Sequence, residues 1–297
     1  MSQKETIHIS VASNNNYAVL TAALLKSVIC NHHSKELIVF YVISDKISKR
    51  NKDKINTLAS TEIQIKWIDA DKILKEKVEF PLDNSSYPST AFLKLLSPYI
   101  LSDEVKKIIY FDVDMIVLGD VSELWNTDIK GYPVAAVVDI VKVVSCSWGG
   151  LKNYQQLGLH PETRYFNSGL MIIDVQQWRD NQIPEKVLKV MHDNLEYVSC
   201  ADQYGLNVIF ANNWFEISPL WNWFAHNYHP KPKCIHFLEI KPIFKSYKYD
   251  KSFQKEFFKY LNMTPWINTP LKGDYLRLFN KAYIRIRKKL IKVILSK

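Results

Sequence analysis

The chain has few of the features that would build a disulfide frame, a dinucleotide loop or a membrane span. Four cysteines among 297 residues lie far apart with no Cys-x-x-Cys pair, which predicts reduced thiols and argues against a zinc site. The glycine fingerprint of dinucleotide-binding folds is absent after the first predicted strand. The longest apolar run, residues 37–43, is too short to cross a bilayer, and the N-terminus lacks a signal-peptide apolar region. We therefore expect a cytoplasmic protein.

Acidic residues are missing from the C-terminal segment, and this absence explains the charge of the whole chain. The formal charge is +9, whereas residues 275–297 contain eight Lys or Arg and no acid. The first 274 residues thus carry only +1 (9 minus 8), so no nucleic-acid partner is expected for the body. The hydrophobic content of 47% is enough to bury a large core. We predict a catalytic domain over residues 1–265 and a basic amphipathic tail over residues 266–297.

One apolar stretch, residues 108–118 (IIYFDVDMIVL), is interrupted by two carboxylates. We predict a buried strand in which Asp112 and Asp114 point to the same side, about 6 to 7 Å apart. Unpaired carboxylates there would repel one another and resist desolvation, whereas Mg²⁺ or Mn²⁺ would neutralise them. Such triplets also arise by chance. For the other one, Asp69-Ala70-Asp71, a structural role with Asp71 as a helix cap is the better interpretation.

Apolar strands and helical stretches alternate along the chain, which favours an α/β sheet. In the first hundred residues we predict strands at 7–12, 37–43 and 63–68 and helices at 17–29, 47–58 and 89–96. Further on we predict strands at 134–138 and 165–174, helices at 184–192 and 202–209, and a loop over 140–164. Sheets of this class bind ligands at the carboxyl ends of their strands, where the two aspartates interrupt the apolar run.

Three segments allow two interpretations each. Residues 13–16 (SNNN) could hold an anion at a helix N-terminus or form a plain turn. The Trp-rich segment 214–223 could stack on sugars or fill the core. The tail could form a helix that lies on an anionic membrane surface, or one that packs on the body or on a second subunit. Its predicted apolar stripe is Leu276, Phe279, Tyr283, Ile286, Leu290 and Val293, and its basic face is Arg277, Lys281, Arg285, Lys288 and Lys292.

Several short motifs occur in an order that resembles the family-8 retaining glycosyltransferases, a group that includes bacterial lipopolysaccharide galactosyl- and glucosyltransferases and glycogenin. The motifs are SNNNY at 13–17, YFDVD at 110–114, LWNTD at 124–128, YFNSG at 165–169, DQ at 202–203, HF at 236–237 and KP at 241–242. The resemblance spans about residues 7 to 241. It implies a GT-A type, Rossmann-like mixed sheet flanked by helices, a UDP-hexose donor and a bound metal.

The resemblance also implies roles for individual residues. Asp112, Asp114 and His236 would hold Mn²⁺ or Mg²⁺, and Lys241 would bind phosphate. The segment Ala12 to Tyr17, with Asn14 and Asn16, would hold the uridine. Gln203 would lie under the reacting face of the sugar, with Asp202 beside it as the other catalytic residue. The remaining expected contacts to the donor come from Lys94, Val113, Asp139 and Asn167, together with Asp112 and Asp202.

The function implied is transfer of galactose or glucose from UDP to a hydroxyl of a lipid-linked surface glycan at the inner face of the cell membrane. An amide such as that of Gln203 is a poor nucleophile, so front-side displacement with retention is expected rather than a covalent intermediate. Two alternatives remain. One is a phosphohydrolase with Asp112 as nucleophile and Asp114 as acid, and the other is a catalytically inactive sugar-binding module.

Overall fold

The computed structural model describes residues 5–74, 89–275, 278, 279, 282, 283 and 286. Its strands are β1 Thr6–Asn14, β2 Leu37–Asp45, β3 Ile63–Asp69, β4 Lys107–Phe111, β5 Met115–Val117, β6 Val134–Val143, β7 Arg164–Asp174, β8 Phe215–Glu216, β9 Trp223–Phe224 and β10 Cys234–His236. They form a seven-stranded sheet in the order β3-β2-β1-β4-β7-β6-β8 and a three-stranded sheet in the order β5-β10-β9.

Helices cover both faces of the larger sheet. The α-helices are α1 Ala18–Asn31, α2 Lys49–Asn56, α3 Ala70–Leu74, α4 Val121–Trp125, α5 Val175–Asp180, α6 Ile183–Asp193, α7 Asp202–Ile209 and α8 Lys251–Leu261. Helices of the 3₁₀ type, which have fewer residues per turn, occur at Asn15–Tyr17, Ser89–Ile100 and Pro219–Asn222. The last predicted helix of the first hundred residues thus continues through Pro98 in 3₁₀ form.

The sheet is mixed, as the resemblance implied. β1 pairs in parallel with β2 and β4, and β2 pairs in parallel with β3, which fits the strand–helix alternation of the first half. β7 runs antiparallel to both β4 and β6. The predicted mixed α/β fold of the GT-A type is confirmed.

The prediction of one strand over residues 108–118 is wrong. β4 ends at Phe111, and β5 belongs to the smaller sheet, where it pairs antiparallel with β10. The Asp112 amide donates to the Gly169 carbonyl (2.7 Å), and the Asp114 carbonyl accepts from the Phe237 amide (2.9 Å). These bonds hold the chain where it passes from the larger sheet to the smaller one. The positions of the two carboxylates are therefore set by a turn, and not by the alternation of faces along a strand.

Two smaller predictions are also wrong. β6 continues past Asp139 to Val143 with a shift of register after Val138, so the loop predicted from residue 140 begins later. At the third strand, Asp69 Oδ1 accepts from the Asp71 amide (3.1 Å), and α3 begins at Ala70. Asp69 is therefore the capping residue and Asp71 lies in the first turn, because the helix starts one residue earlier than its pattern suggests.

The larger sheet is buried on both faces by two apolar clusters. Ile109 and Phe111 of β4 belong to the apolar cluster formed with α1 and α8. Ile108 and Tyr110 belong to the cluster formed with the 3₁₀ helix at Ser89–Ile100 and with α5, α6 and α7. The Trp-rich segment packs with these clusters too, since Trp221 is buried in the first of them.

Few features of the tail lie among the described residues. The residues described after Asp274 are helical, and their large apolar side chains, at positions 275, 278, 279, 283 and 286, are between 55% and 73% exposed. The five predicted basic-face residues lie outside the described residues, as do Leu276, Leu290 and Val293. Within the described part of the chain, no helix combines the length and the apolar character that a membrane crossing requires. All four cysteines are described and are free thiols.

Candidate active site

A cleft of about 380 Å³ opens at the carboxyl ends of β1 and β4. These two strands are neighbours in the sheet, yet the chain leaves β1 toward β2 and β3 on one side, and β4 begins the other half. This change of direction is the topological switch point at which open α/β sheets bind ligands. Twelve predicted site residues line the cleft: Ala12, Tyr17, Lys94, Asp112, Val113, Asp114, Asp139, Asn167, Asp202, Gln203, His236 and Lys241.

The two other predicted residues, Asn14 and Asn16, do not line the cleft. Asn14 Oδ1 accepts from the Asn16 and Tyr17 amides (3.0 and 3.3 Å) and so caps the 3₁₀ helix that follows β1. The Asn14 amide nitrogen is 3.5 Å from Thr90 Oγ1. In this geometry both residues shape the turn, which is the plainer of the two interpretations of this segment.

Three side chains at the base of the cleft form a candidate metal site. Asp112, Asp114 and His236 each offer one ligand atom, and these atoms all lie within 4.8 Å of one another. Asp112 follows β4, Asp114 precedes β5, and His236 ends β10, so the junction of the two sheets assembles the group. Two carboxylates and one imidazole are a donor set that suits Mn²⁺ or Mg²⁺.

Two lysines neutralise the aspartates but leave each of them an oxygen. Lys94 Nζ lies 3.2 Å from Asp112 Oδ1, which also accepts from the Tyr110 hydroxyl (2.8 Å). Lys241 Nζ is bonded to Asp114 Oδ2. The other oxygen of Asp114, Oδ1, faces His236 Nε2 at 3.4 Å, and Asp112 Oδ2 faces Gly169. The candidate ligand atoms are therefore not the ones that the lysines contact.

Gly169 leaves room beside these atoms. A Cβ at this position would overlap His236 Cε1 and lie 3.0 Å from Asp112 Oδ2. Because glycine has no such atom, the space between the imidazole and the carboxylate stays open. The residues present therefore fit a bound cation.

Burial and neighbouring charges shift the pKa values of the ionisable groups of the site in opposite directions. Burial opposes ionisation of Asp114, but the Lys241 ammonium and His236 outweigh it and hold the pKa of this carboxyl below its ordinary value. Burial likewise opposes the charge of Lys94, yet Asp112 and Asp202 raise the pKa of its ammonium. Burial raises the pKa of Asp202 to about 6, although Lys94 opposes the shift. Perturbed groups of this kind concentrate at functional sites.

A second polar group lies farther along the cleft. Asp139 Oδ2 accepts from Asn167 Nδ2 (2.8 Å) and from Gln203 Nε2 (3.3 Å), and Gln203 Oε1 accepts from the Ser168 amide (3.0 Å). Gln203 is thus held at both ends of its amide, and its oxygen keeps one lone pair for a ligand. Asp202 lies 3.5 Å from Lys94, which ties this group to the aspartate pair.

The sequence model of a known family, described as Glycosyl transferase family 8, matches residues 8–268. The chain belongs to this family. The suspected relationship is therefore confirmed, and the transferase interpretation is favoured over the phosphohydrolase alternative. Membership makes the protein a glycosyltransferase and agrees with the candidate metal site at the junction of the sheets.

Relatives of this family-8 chain include two curated bacterial proteins. General stress protein A of Bacillus subtilis is 28% identical over 291 residues, which cover 90% of this chain and 96% of the relative. A lipopolysaccharide 1,2-glucosyltransferase of Escherichia coli is 26% identical over 218 residues, covering 72% of this chain and 61% of that protein. The chain therefore spans less than two thirds of the second relative's length.

Two solved structures share the fold. The apo structure of the bifunctional glycosyltransferase WbbM superposes with a TM-score of 0.74 at 21% identity, covering 90% of this chain and 51% of that one. The galactosyltransferase LgtC in complex with donor and acceptor sugar analogues gives a TM-score of 0.71 at 20% identity, covering 87% and 96%. These likenesses support the fold assignment.

Sequence reasoning missed Asn222, which lies behind the candidate metal site. Asn222 is 1% exposed, and its Oδ1 lies 2.9 Å from His236 Nδ1 while its Nδ2 donates to Asn167 Oδ1 (2.9 Å). The signal that could have pointed to it is an amide within the aromatic run Trp221–Phe224, because a buried polar group there needs a partner.

Proposed function

We propose that the protein is a metal-dependent retaining hexosyltransferase that uses UDP-galactose or UDP-glucose as donor. The observation that carries the proposal is the Asp112, Asp114 and His236 cluster, flanked at the switch point of the sheet by the buried Lys94 and the partly buried Lys241. A dianionic diphosphate needs positive charge that is already in place, which the metal held by this cluster would supply together with the Lys241 ammonium.

Asp112, Asp114 and His236 would hold Mn²⁺ or Mg²⁺. When bound, such an ion supplies Lewis-acid stabilisation of the charge that develops on the departing UDP. The imidazole would ligate through Nε2, the nitrogen that faces Asp114. This division leaves Lys241 to act on the donor itself.

Lys241 is the residue we assign to the diphosphate. Its ammonium lines the cleft and is bonded to Asp114 Oδ2, and the Phe237 carbonyl accepts from it at 2.9 Å. A lysine presents a compact point charge on a flexible stem, so it can turn from the carboxylate to a phosphate oxygen. Lys94 forms ion pairs with Asp112 and Asp202 and donates a hydrogen bond to Ser168. We expect it to keep these contacts when a donor binds.

The sugar would occupy the part of the cleft lined by Asp139, Asn167 and Gln203. In the step we propose, the bond from the anomeric carbon to the phosphate oxygen breaks, and a bond to the acceptor oxygen forms on the same face. The acceptor hydroxyl loses its proton to the departing phosphate oxygen. The free lone pair of Gln203 Oε1 would stabilise the positive charge that develops at the anomeric carbon.

We propose a lipid-linked surface glycan as the acceptor. Trp148 lines the mouth of the cleft and is 66% exposed, so it offers an aromatic face on which an acceptor sugar can stack. The similarity to a lipopolysaccharide 1,2-glucosyltransferase supports a glycan of this class. We further propose that the basic tail attaches the protein to the anionic inner face of the cell membrane.

A donor panel tests the proposed function. The protein is incubated with Mn²⁺ and each of several UDP-sugars, with and without candidate acceptors, and release of UDP is measured. We expect release with UDP-galactose or UDP-glucose and none from Asp114→Asn, whose matched control is the exposed Asp128→Asn. Phosphate release from simple esters would support the phosphohydrolase alternative, and donor binding without turnover would support the inactive sugar-binding module.

A further inference from the structure

Four buried side chains form one hydrogen-bonded series from the sugar end of the cleft to the candidate metal site. Asp139 Oδ2 accepts from Asn167 Nδ2 at 2.8 Å, Asn167 Oδ1 accepts from Asn222 Nδ2 at 2.9 Å, and Asn222 Oδ1 lies 2.9 Å from His236 Nδ1. Asn222 itself does not line the cleft. It lies behind His236, at the end of the 3₁₀ helix Pro219–Asn222.

One backbone amide determines which group donates in each hydrogen bond of this series. The Gly169 amide can only donate, and it lies 3.0 Å from Asn167 Oδ1, so that atom of the Asn167 amide must be the oxygen. Asn222 must therefore present its NH₂ group to Asn167. Its oxygen then faces His236, and an oxygen can only accept.

The Asp139 carboxylate imposes the same direction from the other end. It accepts from the nitrogen of Asn167, which again leaves the oxygen of that amide for Asn222. Two independent groups thus agree on the orientation of both amides. His236 must therefore carry a proton on Nδ1, and in the neutral imidazole the lone pair is then on Nε2.

We propose that Asn222 is a positioning residue that holds His236 in the Nδ1–H tautomer and so directs the Nε2 lone pair at the aspartate pair. The proposal rests on the proposed function only in taking that pair as a metal site. The other tautomer would place a hydrogen on Nε2, between the imidazole and Asp114, and an ion could not be ligated there. Because His236 is only 2% exposed, water cannot readily replace Asn222 as its partner.

The first test reads the tautomer in the metal-free protein. Nitrogen-15 NMR of labelled histidine, at about pH 8 where an ordinary imidazole is neutral, distinguishes a protonated Nδ1 from a protonated Nε2, and His236→Gln assigns the signal. We expect the Nδ1–H form in the wild type and in Asn222→Asp, which keeps an acceptor toward Nδ1. Asn222→Leu should lose that form. The matched control is Asn153→Leu, at a buried amide that bonds Asn194 and Tyr204 instead.

The second test measures binding of Mn²⁺ alone by calorimetry. Loss of an outer partner of a metal-ligating histidine typically weakens affinity by about 10- to 100-fold. We expect a loss of that size in Asn222→Leu and a change below about threefold in Asn153→Leu. A wild-type Nε2–H tautomer, an unchanged tautomer in Asn222→Leu, or equal losses of affinity in the two leucine variants would each overturn the proposal. Neither test needs turnover, so failure of the donor panel would contradict the proposed function and leave this inference standing.

Discussion

At position 169, one methyl group would fill the space between two candidate metal ligands. The Cβ of Gly169→Ala would overlap His236 Cε1 and press on Asp112 Oδ2, so the imidazole or the backbone of β7 must shift. We expect Mn²⁺ affinity to fall by about 100-fold, at the upper end of the effect of disturbing a ligand's support. Calorimetry measures the affinity, and thermal melting in EDTA shows whether the variant is folded. Affinity within about threefold of wild type in a folded variant would contradict the expected clash.

Asp202 should lower the free energy of unfolding as pH rises, whereas most carboxyl groups have the opposite effect. Burial raises the pKa of this carboxyl to about 6, against the charge of Lys94, whereas an unfolded aspartate titrates near 3.9. Between about pH 4 and 6 the native state therefore binds more protons, and the stability that Asp202 contributes falls as pH rises through that window. The difference of about two units corresponds to about 3 kcal/mol.

A comparison with Asp202→Asn isolates this effect. Asparagine stays neutral, so the variant should gain up to about 3 kcal/mol relative to wild type between pH 4 and pH 7. Urea denaturation in EDTA at both pH values measures the gain, and EDTA removes any contribution from bound metal. A stability difference that is the same at both pH values would show that Asp202 titrates near its ordinary value.

At the scale of elements, the site depends on the short segments that join the two sheets. The turn at residues 112–114 carries the chain from β4 to β5, and the segment after β10 brings Lys241 over the same turn. Side chains thus meet at the end of β4, the start of β5 and the end of β10. A strand that continued through the aspartates, as the apolar pattern suggested, would leave the second sheet without its edge strand β5. The strand β10, which carries His236, would then lose its pairing partner.

The segment after β10 allows a variant that separates donor binding from metal binding. Lys241→Met removes an ammonium that we assign to the diphosphate, and hydrogen bonds to charged groups contribute about 1.5 to 3 kcal/mol. We expect affinity for UDP with Mn²⁺ to fall by about 10- to 100-fold. Affinity for Mn²⁺ alone should hold or rise, because the variant removes a positive charge beside the candidate metal site.

The control for this variant is Lys245→Met, an exposed lysine on the same segment. It should leave both affinities unchanged. If Lys241→Met weakened Mn²⁺ and UDP equally, Lys241 would be a structural support for Asp114, and the assignment to the diphosphate would be lost.

At the scale of the whole molecule, the basic charge is separated from the catalytic body. The side chains that the structure describes after Asp274 are apolar and exposed, which suits a surface that a membrane or another protein covers. Each basic residue near an anionic membrane contributes about 1 kcal/mol, so eight of them give strong but salt-sensitive attachment. Packing on the body or on a second subunit stays the alternative.

Truncation of the tail tests the membrane proposal. The chain should be truncated after Asp274, because the carboxylate of this residue accepts a hydrogen bond from the Ser246 amide (3.0 Å). Removal of Asp274 would disturb the catalytic domain. We expect the truncated protein to keep its activity on soluble acceptors and to lose sedimentation with anionic vesicles. Continued sedimentation would refute the proposal. A full-length protein that is dimeric and does not sediment would support the second-subunit interpretation.

The sequence by itself determined the elements and the chemistry of the site. Local periodicity was enough for the strands and helices of the first hundred residues, because that pattern repeats within a few residues. The ordered motifs were enough for the family and for the Asp112, Asp114 and His236 group. The charge of the tail could be read directly from composition.

Only the tertiary structure decided which groups touch. It divided the apolar run at Asp112 between two sheets, placed Asn14 and Asn16 outside the cleft, and brought Asn222 behind His236. It also showed that Lys94 and Lys241 each take one oxygen of an aspartate and leave the other free. The physical reason is separation along the chain. Lys241 and Asp114 are 127 positions apart, and no local pattern reports a hydrogen bond that forms only when distant segments pack together.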